Sequence, residues 1–181
     1  KYEQENPKKA YVKRLYYKKF NNTIKEKYKT VLLSSIIDKM FFDQIREKNN
    51  LVYSISANYS FNKFKPVELI KFYLSYEADP KNIDEINKKI NVIIDKVKKG
   101  NFDLKIFKDK KLTLINDYKS SLNSNYTWLS IIYSTDKNNL YLERTMNIET
   151  IIKNISKREI IQLANKYFDG IYFSDIQLIS E

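Results

Sequence analysis

The feature that most constrains this chain is a run of strict alternation beside a long helical pattern. From Leu51 to Asn62, the residues Leu51, Tyr53, Ile55, Ala57, Tyr59 and Phe61 alternate with Val52, Ser54, Ser56, Asn58, Ser60 and Asn62. Period two over this length predicts a β-strand with one face turned to a core. Just upstream, Thr23 and Glu26 have the spacing of a capping box. Tyr28, Val31, Leu32, Ile36, Met40 and Ile45 then recur at helical intervals up to about Lys48. Asn49 and Asn50 separate the two patterns. A helix feeding a half-buried strand through a tight turn calls for a layer of helices against a sheet.

The remaining chain extends the scheme. Ala10 to Tyr17 has strand-like β-branched and aromatic content with several lysines, which predicts a short edge strand. Val67 to Tyr76 is a second strand, expected to pair antiparallel with the first confident one across a turn near Asn62 to Pro66. Asp79-Pro80 opens a helix whose stripe is Ile83, Ile86, Ile90, Ile93 and Val97 and which Gly100 closes. Asp103 opens another, with Leu104, Phe107, Leu112, Ile115 and Leu122 expected inward, and a further helix carries Tyr126, Leu129, Ile132 and Tyr133. Ile148 to Ile155 reads as a short helix, Ser156 with Glu159 as a second capping box for a helix stopping at Gly170, and Ile171 to Ile179 as a closing strand. The expected class is α+β: a mainly antiparallel sheet with helices packed on one face, a two-layer sandwich. Residues 1–9 are expected to be a linker or disordered lead-in and residues 10–181 a single domain. No internal repeat is visible.

Composition excludes much chemistry. The 181 residues include no histidine and no cysteine, which removes nucleophilic cysteine, the Ser-His-Asp relay and the usual zinc ligands. Gly100 and Gly170, the two glycines, stand far apart, so no glycine-rich phosphate loop can form. The apolar stretch from Val31 to Phe42 is interrupted by Ser34, Ser35, Asp38 and Lys39 and is too short for a bilayer span. The chain begins at Lys1 rather than Met, and the expectation is a piece of a longer polypeptide. The net charge of +11 suggests acidic partners, but the lysines are spread over nearly every segment. That spread argues for solvated faces rather than a dedicated polyanion site.

The most informative segment is Asp43-Gln44-Ile45-Arg46-Glu47-Lys48-Asn49-Asn50-Leu51-Val52-Tyr53-Ser54. A basic helix end, a short turn and then Leu-Val-Tyr-Ser resembles the corresponding segment in the non-catalytic halves of pitrilysin/insulinase-type zinc metallopeptidases. Further segments are similar in the same order: Asp79-Pro80, Gly100-Asn101-Phe102-Asp103, Asn125-Tyr126-Thr127-Trp128-Leu129, and Ile155 to Ile160 with Ala164, Tyr167 and Phe168.

The resemblance implies an inactive, peptidase-like, carboxy-terminal domain of a zinc-dependent endopeptidase. Two halves would close around a peptide, with zinc held by the amino-terminal half, in the same polypeptide or a partner subunit. This chain, lacking histidine, cannot be the zinc half; it would bind no metal and be inactive alone. By their place in the motif, Arg46 corresponds to a substrate-binding arginine and Tyr53 to a tyrosine that binds substrate and supports the transition state. The resemblance also implies a bacterial cell envelope or periplasm as the location.

Both residues also have ordinary structural readings. Arginine in a last helical turn meets the helix dipole favourably, and tyrosine in an alternating strand is commonly packing. Alternation puts Tyr53 on the face of Leu51 and Ile55, so a chamber-facing Tyr53 requires an apolar-lined chamber or a local twist or bulge. Trp128 with Tyr126 and Tyr133 could form an aromatic platform, but helical spacing favours core. Asp84 with Glu85 and Asp38 with Asp43 read as solvated helix faces, lacking metal-loop spacing. Two other functions fit the same residues: a scaffold or partner-binding half of a larger assembly, and a basic nucleic-acid-binding domain.

Overall fold

In a computed structural model of the chain, residues 9–21, 23–62, 68–138, 147–170 and 173–179 are described. The lead-in over residues 1–8 and the turn at 63–67 lie outside them.

Four strands form one antiparallel sheet: β1 (Ala10–Lys19), β2 (Ser54–Asn62), β3 (Leu69–Ala78) and β4 (Phe173–Ile179), in the order β2-β3-β1-β4. The described helices are α1 (Ile24–Phe41), α2 (Ile83–Lys98), α3 (Leu104–Ser121), α4 (Asn125–Asn138), α5 (Ile148–Lys153) and α6 (Lys157–Tyr167). The α+β class with helices on one face is as expected. Alternation sets the two faces: Ala10, Val12, Ile70, Phe72, Leu74, Tyr76 and Ala78 are buried in the core with α1, α2 and α6. On the other face Tyr11, Ile176 and Leu178 stay exposed.

The helix ends follow their capping residues. Thr23 Oγ1 accepts the Glu26 N–H, but Glu26 turns its own buried carboxylate to Lys166 at 2.7 Å, so only half of the first capping box forms. The second is complete, with Ser156 and Glu159 each holding the other's backbone N–H. Asp79 Oδ1 accepts the Lys81 N–H and Pro80 begins a short 3₁₀ turn into α2. At the end of α2, Gly100 has φ +75°, Asn101 N–H donates to Lys96 O and Gly100 N–H to Val97 O. This is the paired closure that a left-handed residue after a helix permits.

Core packing joins sheet to helices through large side chains. Phe72 meets Phe168 edge-on at 5.2 Å between centroids, and Tyr16 meets Phe168 likewise at 4.9 Å. Tyr167 and Tyr76 are buried with their hydroxyls bonded to Thr30 and Asn87. Satisfying those oxygens lets such rings contribute burial without an orphaned polar group.

Three expectations are corrected. β1 is not an edge strand: it lies between β3 and β4. Its basic residues tolerate that position because their stems are covered while their heads find partners. Arg14 Nη1 donates to Asn91 Oδ1 at 2.7 Å, Lys18 pairs with Asp169, and Lys13 Nζ sits 4.3 Å from the Tyr73 ring centroid. In α3, Phe107 and Ile115 are buried, but Leu104 and Leu112 face solvent. Finally, α4 does not bury its aromatic stripe: Tyr126, Leu129, Ile132 and Tyr133 are exposed, and Ile131 is the buried one among the residues of α4 whose side chains are described. Trp128 is half-buried, its Nε1–H donating to Leu122 O at 2.8 Å. The core reading of that aromatic group therefore fails, because α4 turns a different phase of its surface inward.

Candidate functional site

The site is built on the junction between α1 and β2. Beyond Phe41 the helix widens into a π-helical turn, Phe42–Glu47, and Asn50 takes a left-handed backbone with φ +50°. Two apolar anchors pin the junction: Ile45 is fully buried and Val52 nearly so. Polar contacts fix it between them. Asn50 N–H donates to Arg46 O at 2.9 Å, and the Asn49 amide donates to Gln44 O. With Ile45 held inside, Arg46 is turned outward and exposed; its guanidinium carbon lies 5.4 Å from the Phe42 ring centroid.

Tyr53 owes its position to a defect in the ladder. Its N–H donates to Glu77 O at 2.8 Å, yet the residue paired with Glu77 is Ser54. Two residues opposite one is the arrangement of a β-bulge, which reverses the side-chain phase of the strand. Val52 therefore points inward where strict alternation would put it outward, and Tyr53 is 50% exposed. Of the alternatives that alternation left open for Tyr53, the structure has a bulge. Among the described residues, the phenol hydroxyl has no hydrogen-bond partner.

Charged residues that the sequence pattern did not single out surround this ring. Lys9 Nζ lies 5.4 Å from the Tyr53 centroid and pairs with Glu77 at 3.1 Å. Lys81 pairs with Asp79 at 2.9 Å. The Asp79 hydrogen bond raises the Lys81 pKa, with a lesser contribution from Tyr53, and the Lys81 side chain and N–H hold the Asp79 carboxyl below the usual range. The strand register puts these groups together, since Ala10 faces Ala78 and Glu77 faces Ser54. Only long-range pairing carries that signal.

Arg46 and Tyr53 thus share one junction and one property, exposure, but among the described residues no hydrogen bond or ring contact joins them. Arg46 rests along Phe42 and Tyr53 beneath Lys9. Asp38, expected on a solvated helix face, instead ties α1 to β2, since its Oδ1 accepts the Ala57 N–H at 3.1 Å while Ser34 Oγ donates to Ala57 O at 2.7 Å. Asp43 pairs with Lys39 at 2.7 Å. Among the described residues no three His, Cys, Asp or Glu side chains gather where they could hold a metal ion. With no histidine or cysteine in the sequence, this donor set does not fit a catalytic zinc.

The fold is that seen in domains of M16 peptidases. The periplasmic protease PqqL from Escherichia coli superimposes with a TM-score of 0.78 at 15% identity, over 98% of this chain and 20% of that one. A protease from Helicobacter pylori gives 0.76 at 16% identity, over 94% and 41%. The M16 inactive domain from Pseudomonas fluorescens gives 0.74 at 14% identity, over 94% and 40%. This chain therefore spans between a fifth and about two fifths of the length of these proteins. No protein-family profile and no curated protein sequence matches it.

Proposed function

We propose that this chain is a non-catalytic domain of an M16-type zinc endopeptidase, closing a substrate chamber whose metal belongs to another half. The observation that carries the proposal is the bulge at Tyr53. It turns outward a phenol that has no hydrogen-bond partner among the described residues, on the same α1–β2 junction as exposed Arg46, in a domain whose fold is shared with known proteases, one of them named as an inactive M16 domain.

The two side chains suit complementary roles. Peptide hydrolysis builds negative charge on the scissile carbonyl oxygen, and a neutral phenol placed there stabilises it as a hydrogen-bond donor. A guanidinium stays charged at any working pH and holds a carbonyl or carboxylate through its planar fork. In this reading Tyr53 supports the transition state and binds substrate, and Arg46 orients the peptide. The partner is a zinc-bearing half in the same polypeptide or another subunit, and the substrate is a peptide.

An envelope location follows the name of the periplasmic PqqL; among the described residues no helix is long and apolar enough to cross a membrane.

The test is peptide hydrolysis by the assembled enzyme. The 181-residue chain alone should cleave nothing. Tyr53→Phe in the assembled enzyme should lower kcat at least about tenfold with a smaller change in KM, the pattern of an interaction made in the transition state. Arg46→Ala should chiefly raise KM. Wild-type kinetics in both variants would remove the proposed roles.

A further inference from the structure

Four of the lysines, Lys48, Lys88, Lys89 and Lys96, come together in one place. A groove of about 390 Å³ runs between the π-helical turn and α2, lined by Gln44, Lys48 and Asn49 on one side and by Lys88, Lys89, Val92 and Lys96 on the other. Two lysines donate to neutral amide oxygens: Lys96 Nζ to Gln44 Oε1 at 3.0 Å and Lys89 Nζ to Asn49 Oδ1 at 3.3 Å. Lys89 also meets Glu85 at 3.4 Å. Lys48 and Lys88 have no ion-pair or hydrogen-bond partner among the described residues. Four lysines therefore line the groove, Glu85 is the carboxylate paired with any of them among the described residues, and Val92, 53% exposed, adds apolar surface.

We propose that this groove is a docking site for an acidic, extended peptide segment. Lys88 and Lys96 are two helical turns apart, about 12 Å along α2, which an extended chain spans in about four residues. A segment with two or more carboxylates within four residues places them against the lysines, while a methylene stem lies over Val92. Lys89 and Lys96 are already oriented by their amide partners, so for these two little side-chain freedom remains to be lost on binding. The groove lies against Gln44 and Lys48, which flank Arg46 on the same turn, but the inference needs no role for Arg46 or Tyr53.

The test is fluorescence anisotropy with the 181-residue chain and a labelled peptide of four glutamates, its glutamine counterpart and a short DNA duplex. The glutamate peptide should bind, the glutamine peptide should not, and added salt should weaken binding. Lys88→Glu with Lys96→Glu should weaken binding at least about tenfold. Lys105→Glu with Lys108→Glu on α3, the same change in net charge, should leave it within about twofold; circular dichroism confirms that both variants fold. Equal weakening by the two pairs, equal binding of the glutamine peptide, or tighter binding of DNA than of the glutamate peptide would each overturn the proposal. Because the readout is binding, its failure is separable from failure of the peptidase reading.

Discussion

Glu77 is matched by two residues of the neighbouring strand: its carbonyl takes the Tyr53 N–H at 2.8 Å, while its register partner is Ser54. That extra residue separates the inward Val52 from the outward Tyr53. Without it Tyr53 would lie on the helix-facing side with Ile55 and Ala57. The bulge is thus the physical reason that this tyrosine is available to anything beyond its own domain.

The first prediction isolates side chain from backbone at this position. Tyr53→Phe should leave stability within about 0.5 kcal/mol, since the hydroxyl has no described partner and the ring is half outside. Tyr53→Pro removes the N–H that Glu77 O accepts and should cost about 1–3 kcal/mol. Urea denaturation of both variants measures the contrast.

Ser34 and Asp38 should act as guards of the β2 edge. They occupy both backbone groups of Ala57 from one face of α1, groups that would otherwise be open to a further strand. Ser34→Ala and Asp38→Ala should each destabilise by about 1–3 kcal/mol. The double variant should also self-associate where the parent does not, as read by sedimentation velocity.

Gly100 combines two constraints. Its φ is +75°, and a Cβ there would lie 2.6 Å from Ile161 Cδ1. Gly100→Ala should therefore cost about 2 kcal/mol and lower Tm by about 4–8 °C for a chain of this size. Adding Ile161→Ala should recover the steric part but not the backbone part. A thermal double-mutant cycle separates them, and full recovery would show that the left-handed backbone costs nothing.

Glu159 gives the expected pH dependence. Burial pushes its carboxyl up, but Lys25 at 2.6 Å and the Ser156 N–H and hydroxyl outweigh this and hold it at about 2. A carboxyl with a lowered folded-state pKa stabilises above its unfolded value and loses that contribution as pH falls through the folded one. Stability should therefore decline between the ordinary glutamate range, about 4.3, and about 2. Glu159→Gln should flatten this decline in acid titrations of urea midpoints; an unchanged slope would show that the capping box does not carry it.

Much of the architecture was legible because it is written in local chemistry. The 3.6-residue stripes of α1 and α2, the Asp79-Pro80 start, the Gly100 stop and the Ser156–Glu159 box each involve residues within a turn or two of one another. The alternation of β2 was equally plain. What failed depended on neighbours distant in sequence. β1 looks like an edge because it is rich in lysine, yet Asn91 on α2 and Asp169 just after α6 let it sit inside the sheet. The stripe of α4 has the spacing of a core helix, but nothing in a periodicity says how far from the sheet a helix will lie.

The sequence by itself determined the element types, the one-sided burial and the absence of zinc-binding histidine and cysteine, because these depend on side-chain identity and spacing within one segment. Tertiary structure alone decided that Tyr53 would face outward, that Lys9 and Lys81 would stand beside it, and that Lys48 would join Lys88, Lys89 and Lys96 in one groove. Those outcomes rest on strand register and helix placement, which set distances between residues tens of positions apart and leave no trace in local pattern.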